Sequence, residues 1–251
     1  MLSQNQFNKK HDFASQQLVS DGYGGCPNTL KINAYLGIFL IALATRFLNL
    51  YFIDSLTIHA NVEDSSVYFM GAKNWIESGF FSVATDTGFS DQTERMPGYF
   101  LFLAAIVSVF GEHFLPVLVI QSVIDSVTCV LIAALGCYVY PKHYGIFGWL
   151  AAVWPNLFIH SGQILGDSLF VFFFVWFLLS FTGLLNKPTI LAAVFAGAAL
   201  GLATLVRPTT QFIIFMTPVL LPLILIMSKM KVREAVFNSL VVFAISVVCV
   251  A

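Results

Sequence analysis

The 251-residue chain is 58% hydrophobic and 10% charged, with a formal net charge of −1. Soluble domains carry about a quarter of their residues as Asp, Glu, Lys and Arg, so this composition excludes a soluble globular protein. The near-zero net charge provides no basic surface for nucleic acid. What remains is an all-α, polytopic transmembrane helical bundle.

Residues 1–30 are polar, rich in Gln, Asn, Ser and Gly, and read as a disordered cytoplasmic tail carrying Lys9 and Lys10. Leu30 to Phe52 is long enough for one crossing, at about 20 residues per span. It is too long for the apolar core of a cleaved signal and is kept as an uncleaved first span. Lys9, Lys10 and Lys31 place its N-terminus in the cytoplasm.

Residues 54–95 form the longest polar segment after the tail, with Asp54, Glu63, Asp64, Glu77, Asp86, Asp91 and Glu94. A loop of this size is more often functional than a simple connection. Within it Asp64, Tyr68, Ala72, Trp75 and Gly79 recur at helical spacing and share one face. The spacing predicts a helix that begins at or just after Asp64 and stops at Gly79. Its aromatic side suits the surface of a bilayer.

Pro97–Phe110 is an apolar run of about 14 residues, short for a span and expected to be re-entrant or interfacial. If it does not cross, the later spans fall near 115–139, 145–160, 168–185, 189–206, 210–228 and 235–251. Lys142, Lys187 and the cluster Lys229, Lys231, Arg233 are then cytoplasmic, and Glu63, Asp64 and Asp167 are external. A crossing would strand the basic cluster outside, against the positive-inside rule. The expected organisation is therefore an external loop over 54–114 inside one transmembrane domain, 31–251, of about seven spans. It brings Asp64, Arg95, Asp167 and Arg207 to one membrane face.

Gly197-Ala-Ala-Leu-Gly201 gives one span a small-x-x-x-small face for close helix packing. Asp125 lies inside an apolar run with Gln121 one turn away, and helix–helix hydrogen bonding is its expected role. Cys26, Cys129, Cys137 and Cys249 have neither metal nor redox spacing.

Four stretches carry a resemblance: Asp64-Ser65-x-x-Tyr68-x-x-x-Ala72 with Gly79-Phe80; Arg95-Met-Pro97-Gly98-Tyr99; Gly162-Gln-Ile-Leu-Gly-Asp167-Ser168-Leu169; and Gly201-Leu-Ala-Thr-Leu-Val-Arg207-Pro208. In this order they resemble the GT-C membrane glycosyltransferases. That class includes the dolichyl-phosphate-mannose–protein mannosyltransferases and the bacterial aminoarabinose transferases acting on lipid A. Ser65 departs from it, standing where many relatives carry a second acid, although Glu63 lies on the other side of Asp64.

The resemblance implies an inverting enzyme that moves a sugar from a polyprenyl-phosphate donor to an external acceptor, whether protein, lipid or glycan. It implies an integral, multi-pass protein of a bacterial inner (plasma) membrane. Asp64 is then the general base towards the acceptor hydroxyl, with Glu63 its rival or helper. Asp167 is a second acid that orients the acceptor or helps to hold a divalent cation; two carboxylates without a ligand cluster do not specify an ion. Arg95 and Arg207 are the candidates for phosphate contact. Tyr68 and Tyr99 complete the candidate substrate-binding set. From spacing alone Asp64 and Asp167 read equally as helix N-caps, and Arg207 as an arginine snorkelling at a span end.

Members of this class are usually much longer, and the chain ends at Ala251 within an apolar run. A truncated, inactive fragment is therefore one alternative expectation. A transporter or flippase using Asp125 and Asp167 for coupling is the other.

Overall fold

A computed structural model describes residues 28–52, 63–79, 82–85, 88–91, 95–228 and 230–250. The tail over 1–27 and Lys229 lie outside the described residues, as does the side chain of Glu63. The chain forms an all-α polytopic bundle with one short hairpin.

Helix α1 (Asn28–Phe52) is followed by α2 (Glu63–Ser78) and by strands β1 (Ser82–Thr85) and β2 (Gly88–Asp91), paired antiparallel. Then come α3 (Gly98–Phe110), α4 (Phe114–Val139), α5 (Tyr144–Val153) and α6 (Pro155–Ser161). The rest is α7 (Asp167–Asn186), α8 (Ile190–Val206), α9 (Gln211–Met227) and α10 (Val232–Val250).

Five helical stretches among the described residues are long and apolar enough to cross a membrane: Ile32–Phe52, Phe114–Val139, Asp167–Asn186, Pro208–Met227 and Val232–Val250. Helix α3 has 13 residues, which at 1.5 Å per residue reach about 20 Å, well short of a hydrocarbon core of about 30 Å. Its length agrees with an interfacial or re-entrant placement.

The run 145–160, expected as one span, is two helices. Pro155 has no N–H to continue the ladder, and Trp154 before it is extended (φ −71°, ψ 119°), as a residue preceding proline prefers. The break leaves carbonyls at the end of α5 in need of donors, and α1 supplies them.

Arg46 is fully buried and donates from Nε to Asp125 Oδ2 at 2.8 Å. Its Nη1 donates to the Ala152 carbonyl and its Nη2 reaches the Ala151 carbonyl at 3.4 Å. Thr45 Oγ1 also donates to Ala152 O, at 3.0 Å. Asp125 therefore does bond between helices, but its partner is Arg46 of α1. Around this pair Ile38, Ala42, Cys129, Ala133, Ala151 and Ala152 form one apolar cluster.

The second half of the bundle is built on small residues. A Cβ on Gly197 would lie 2.8 Å from Val242 O and 2.9 Å from Ile245 Cβ, so only glycine allows α8 and α10 to approach this closely. Ser246 Oγ donates across the same contact to Gly197 O at 3.1 Å. Gly197→Leu is expected to overpack this seam and cost about 1–3 kcal/mol or more. The loss would be read as a lower thermal unfolding midpoint in detergent, and an unchanged midpoint would mean that the seam yields freely.

Candidate active site

The four motifs lie far apart along the chain, yet short-range contacts join them. Helix α2 starts at Glu63 and ends at Gly79 (φ +72°), a left-handed stop that favours glycine. Its buried stripe is Ser65, Gly71 and Ala72 with half-buried Tyr68, which leaves Asp64 at the exposed rim.

Ser65 Oγ donates to Ile164 O at 3.1 Å, pinning α2 to the segment before α7. Gly98, at the start of α3, sits against the end of α8, where an added Cβ would meet Leu205 C and O at 2.7 Å. A Cβ on Gly166 would meet Val206 Cγ1 at 3.2 Å and Tyr99 Cγ at 3.5 Å. Three segments thus meet where Arg95, Asp167 and Arg207 leave the backbone.

Two ion pairs result. Arg95 Nη2 lies 2.6 Å from Asp64 Oδ1, and Arg207 Nη2 lies 2.6 Å from Asp167 Oδ1. Asp167 is not the N-cap of α7: Gly166 takes that position, and Asp167 places its charge in the first turn, where the helix dipole favours an anion. Arg207 closes the C-terminus of α8, its N–H bonded to Ala203 O and its guanidinium 5.9 Å from the Phe170 ring centre. The Arg95 guanidinium lies 5.0 Å from the Tyr68 ring centre, in cation–π range.

Both pairs retain solvent access, with side chains 29% and 55% exposed for Arg95 and Asp64, and 46% and 25% for Arg207 and Asp167. Pairs of this exposure are worth about 0–1 kcal/mol, so either arginine can exchange its carboxylate for another anion at small cost. Arg95 Nη1 is buried and has no hydrogen-bond partner among the described residues.

Tyr68 lies against the Arg95 guanidinium and feels the charges of both pairs. Burial pushes its hydroxyl above the usual phenol range, opposed by Arg95 and Arg207 and reinforced by Asp64 and Asp167. All four charges therefore act on one ring. The phenol remains neutral through physiological pH, able to donate a hydrogen bond and unsuited to act as a base.

Tyr99 lies deeper than the other candidates. It was placed with the substrate-binding residues, but it is 1% exposed and its hydroxyl donates to Gln121 Oε1 at 2.6 Å. Its ring stands edge-on to Tyr68, with centres 4.9 Å apart. Tyr99 thus packs directly against Tyr68. Lys73, off the Asp64 face, pairs with Glu112 at 2.8 Å on the surface.

Gln121 and Phe170 contribute to this site without having been singled out for it. Gln121 was read only as a companion of Asp125, and a phenylalanine in an aromatic run has no distinguishing spacing. Among the described residues no group of three His, Cys, Asp or Glu could hold a metal ion. Asp64 and Asp167 are each paired with an arginine.

No curated protein matches the chain. Residues 94–251 match the model of the dolichyl-phosphate-mannose-protein mannosyltransferase family. The match takes in Arg95, Tyr99, Asp167 and Arg207 and begins after Asp64. With more than half of its length inside that model and several membrane-length apolar helices, the chain is an integral multi-pass membrane protein that belongs to the dolichyl-phosphate-mannose-protein mannosyltransferase family.

Proposed function

We propose that the protein transfers one sugar from a polyprenyl-phosphate donor to an acceptor hydroxyl at the non-cytoplasmic membrane surface, with inversion at the anomeric carbon. The observation that carries this reading is the packing of α2, α3, the segment before α7 and the end of α8 against one another, with an acid–arginine pair on each side of that junction and solvent access to both pairs. Arg207 and Arg95 exchange their carboxylates for the donor phosphate. The acceptor oxygen attacks the anomeric carbon as the bond from that carbon to the phosphate oxygen breaks. The electron pair leaves on the phosphate, where the guanidinium charges stabilise it. The acceptor proton passes to Asp64 or to its neighbour Glu63. Asp167, released from Arg207, orients the acceptor.

Basic-residue placement supports the orientation. Lys142 and Lys187 follow α4 and α7, and Lys231 and Arg233 flank the start of α10, all at helix ends opposite to Asp64 and Asp167. By the positive-inside rule those ends are cytoplasmic, the site is external and the N-terminus is cytoplasmic.

The test is turnover of a labelled polyprenyl-phosphate sugar in nanodiscs, with protein, lipid and glycan acceptors offered in turn. The wild type is expected to consume donor and label one acceptor. Arg207→Gln is expected to raise the donor KM about tenfold or more, since a hydrogen bond to a charged group is worth about 1.5–3 kcal/mol. A wild-type protein that leaves the donor intact with every acceptor overturns the reading.

A further inference from the structure

We propose that Gln121 is a positioning residue of the transfer site, a clamp within the bundle that fixes the segment carrying Arg95 against the segment carrying Asp167. Gln121 lies on α4 and is 1% exposed. Its Oε1 accepts from Tyr99 Oη at 2.6 Å, and its Nε2 donates to the Gln163 carbonyl at 2.8 Å. The orientation of the amide is dictated by its partners: a backbone carbonyl only accepts, so nitrogen must face Gln163 and oxygen must face the tyrosine hydroxyl.

Each bond leads to a charged group. Tyr99 follows Arg95 by four residues and holds the edge of the Tyr68 ring, over which Arg95 lies. Gln163 precedes Asp167 by four residues in the turn that closes on Gly166, which packs on the Tyr99 ring. The Gln163 carbonyl also accepts from Leu165 N at 2.9 Å, so the same oxygen shapes that turn. The tyrosine bond is buried and the carbonyl bond partly buried, which makes both costly to lose. Arg95 and Asp167 thus each lie four residues from a partner of this amide. A displacement of about 1 Å in a reacting constellation can cost a hundredfold in rate.

The inference rests on the transferase reading, and its test separates the two. The full chain in nanodiscs would be compared as wild type, Gln121→Leu, Tyr99→Phe and the double variant, by donor turnover and by hydrogen–deuterium exchange of peptides. Gln121→Leu is expected to lower kcat at least tenfold with a smaller rise in donor KM, because Arg207 still holds the phosphate while the alignment of Arg95 and Asp167 is lost. Exchange is expected to rise over 95–99 and 162–167 and to stay unchanged over 190–206. The double variant is expected to fall no further than Gln121→Leu alone, since the tyrosine bond is already broken. Tyr99→Phe removes one bond and keeps the ring, so it carries the test if Gln121→Leu does not accumulate.

Unchanged kcat in both single variants, or exchange that rises equally throughout the bundle, overturns the clamp. Local loosening in a protein that transfers no sugar refutes the transferase and leaves the clamp standing.

Discussion

Arg46→Met is expected to remove most of the folded protein. Arg46 is fully buried, and its removal leaves Asp125, 1% exposed, without its cation in an apolar setting. Breaking a buried pair on one side costs about 3–5 kcal/mol, a large share of the 5–15 kcal/mol typical of whole domains. The Ala151 and Ala152 carbonyls at the end of α5 also lose the guanidinium. Asp125→Leu is expected to be nearly as damaging, because the arginine is then stranded.

The double variant Arg46→Met/Asp125→Leu is expected to regain part of the loss. No unpaired charge remains in it, and Thr45 still serves Ala152 O. The measurement is the monodisperse fraction and thermal midpoint after detergent extraction. A single variant that accumulates and melts like the wild type would show that the pair contributes nothing.

Asp64→Asn is expected to lower sugar turnover by about a hundred- to ten-thousand-fold, the usual contribution of a positioned general base. The amide preserves shape and can still accept from Arg95, but it cannot take a proton at neutral pH. Folding should survive, because the exposed pair it weakens is worth about 0–1 kcal/mol. Donor KM should change little, since Arg207 is untouched. Glu63→Gln, assayed beside it, assigns the base: the deeper loss of kcat marks the proton acceptor. Full turnover in Asp64→Asn together with a dead Glu63→Gln would move the role to Glu63.

Much of the architecture was legible because apolar length is a strong signal. The short run before Phe110 and the stop at Gly79 followed from residue count and from glycine. Asp125 stood out as an acid in a span, but its partner did not. Arg46 lies six residues from the end of an apolar run and looks like an ordinary interfacial arginine; only tertiary packing brings it to Asp125 across a separation of 79 residues. Pro155 was visible, and its missing N–H accounts for the helix break within 145–160. At the site, residue types and order pointed to Asp64, Arg95, Asp167 and Arg207. Their pairing was not readable, because ion pairs between distant segments leave no periodic trace. The burial of Tyr99 was not readable for a related reason: a tyrosine at the mouth of an apolar helix looks the same whether its hydroxyl meets solvent or a buried glutamine.

The Arg46–Asp125 contact also bears on how the protein enters its membrane. Arg46 leaves the ribosome 79 residues ahead of Asp125, a delay of roughly 4–16 s at about 5–20 residues per second. During that interval α1 holds a cation with no partner, at a cost to insertion of up to about 2.5–3.5 kcal/mol near a helix centre. Its guanidinium gains the partners seen in the fold only when α4 and the end of α5 arrive.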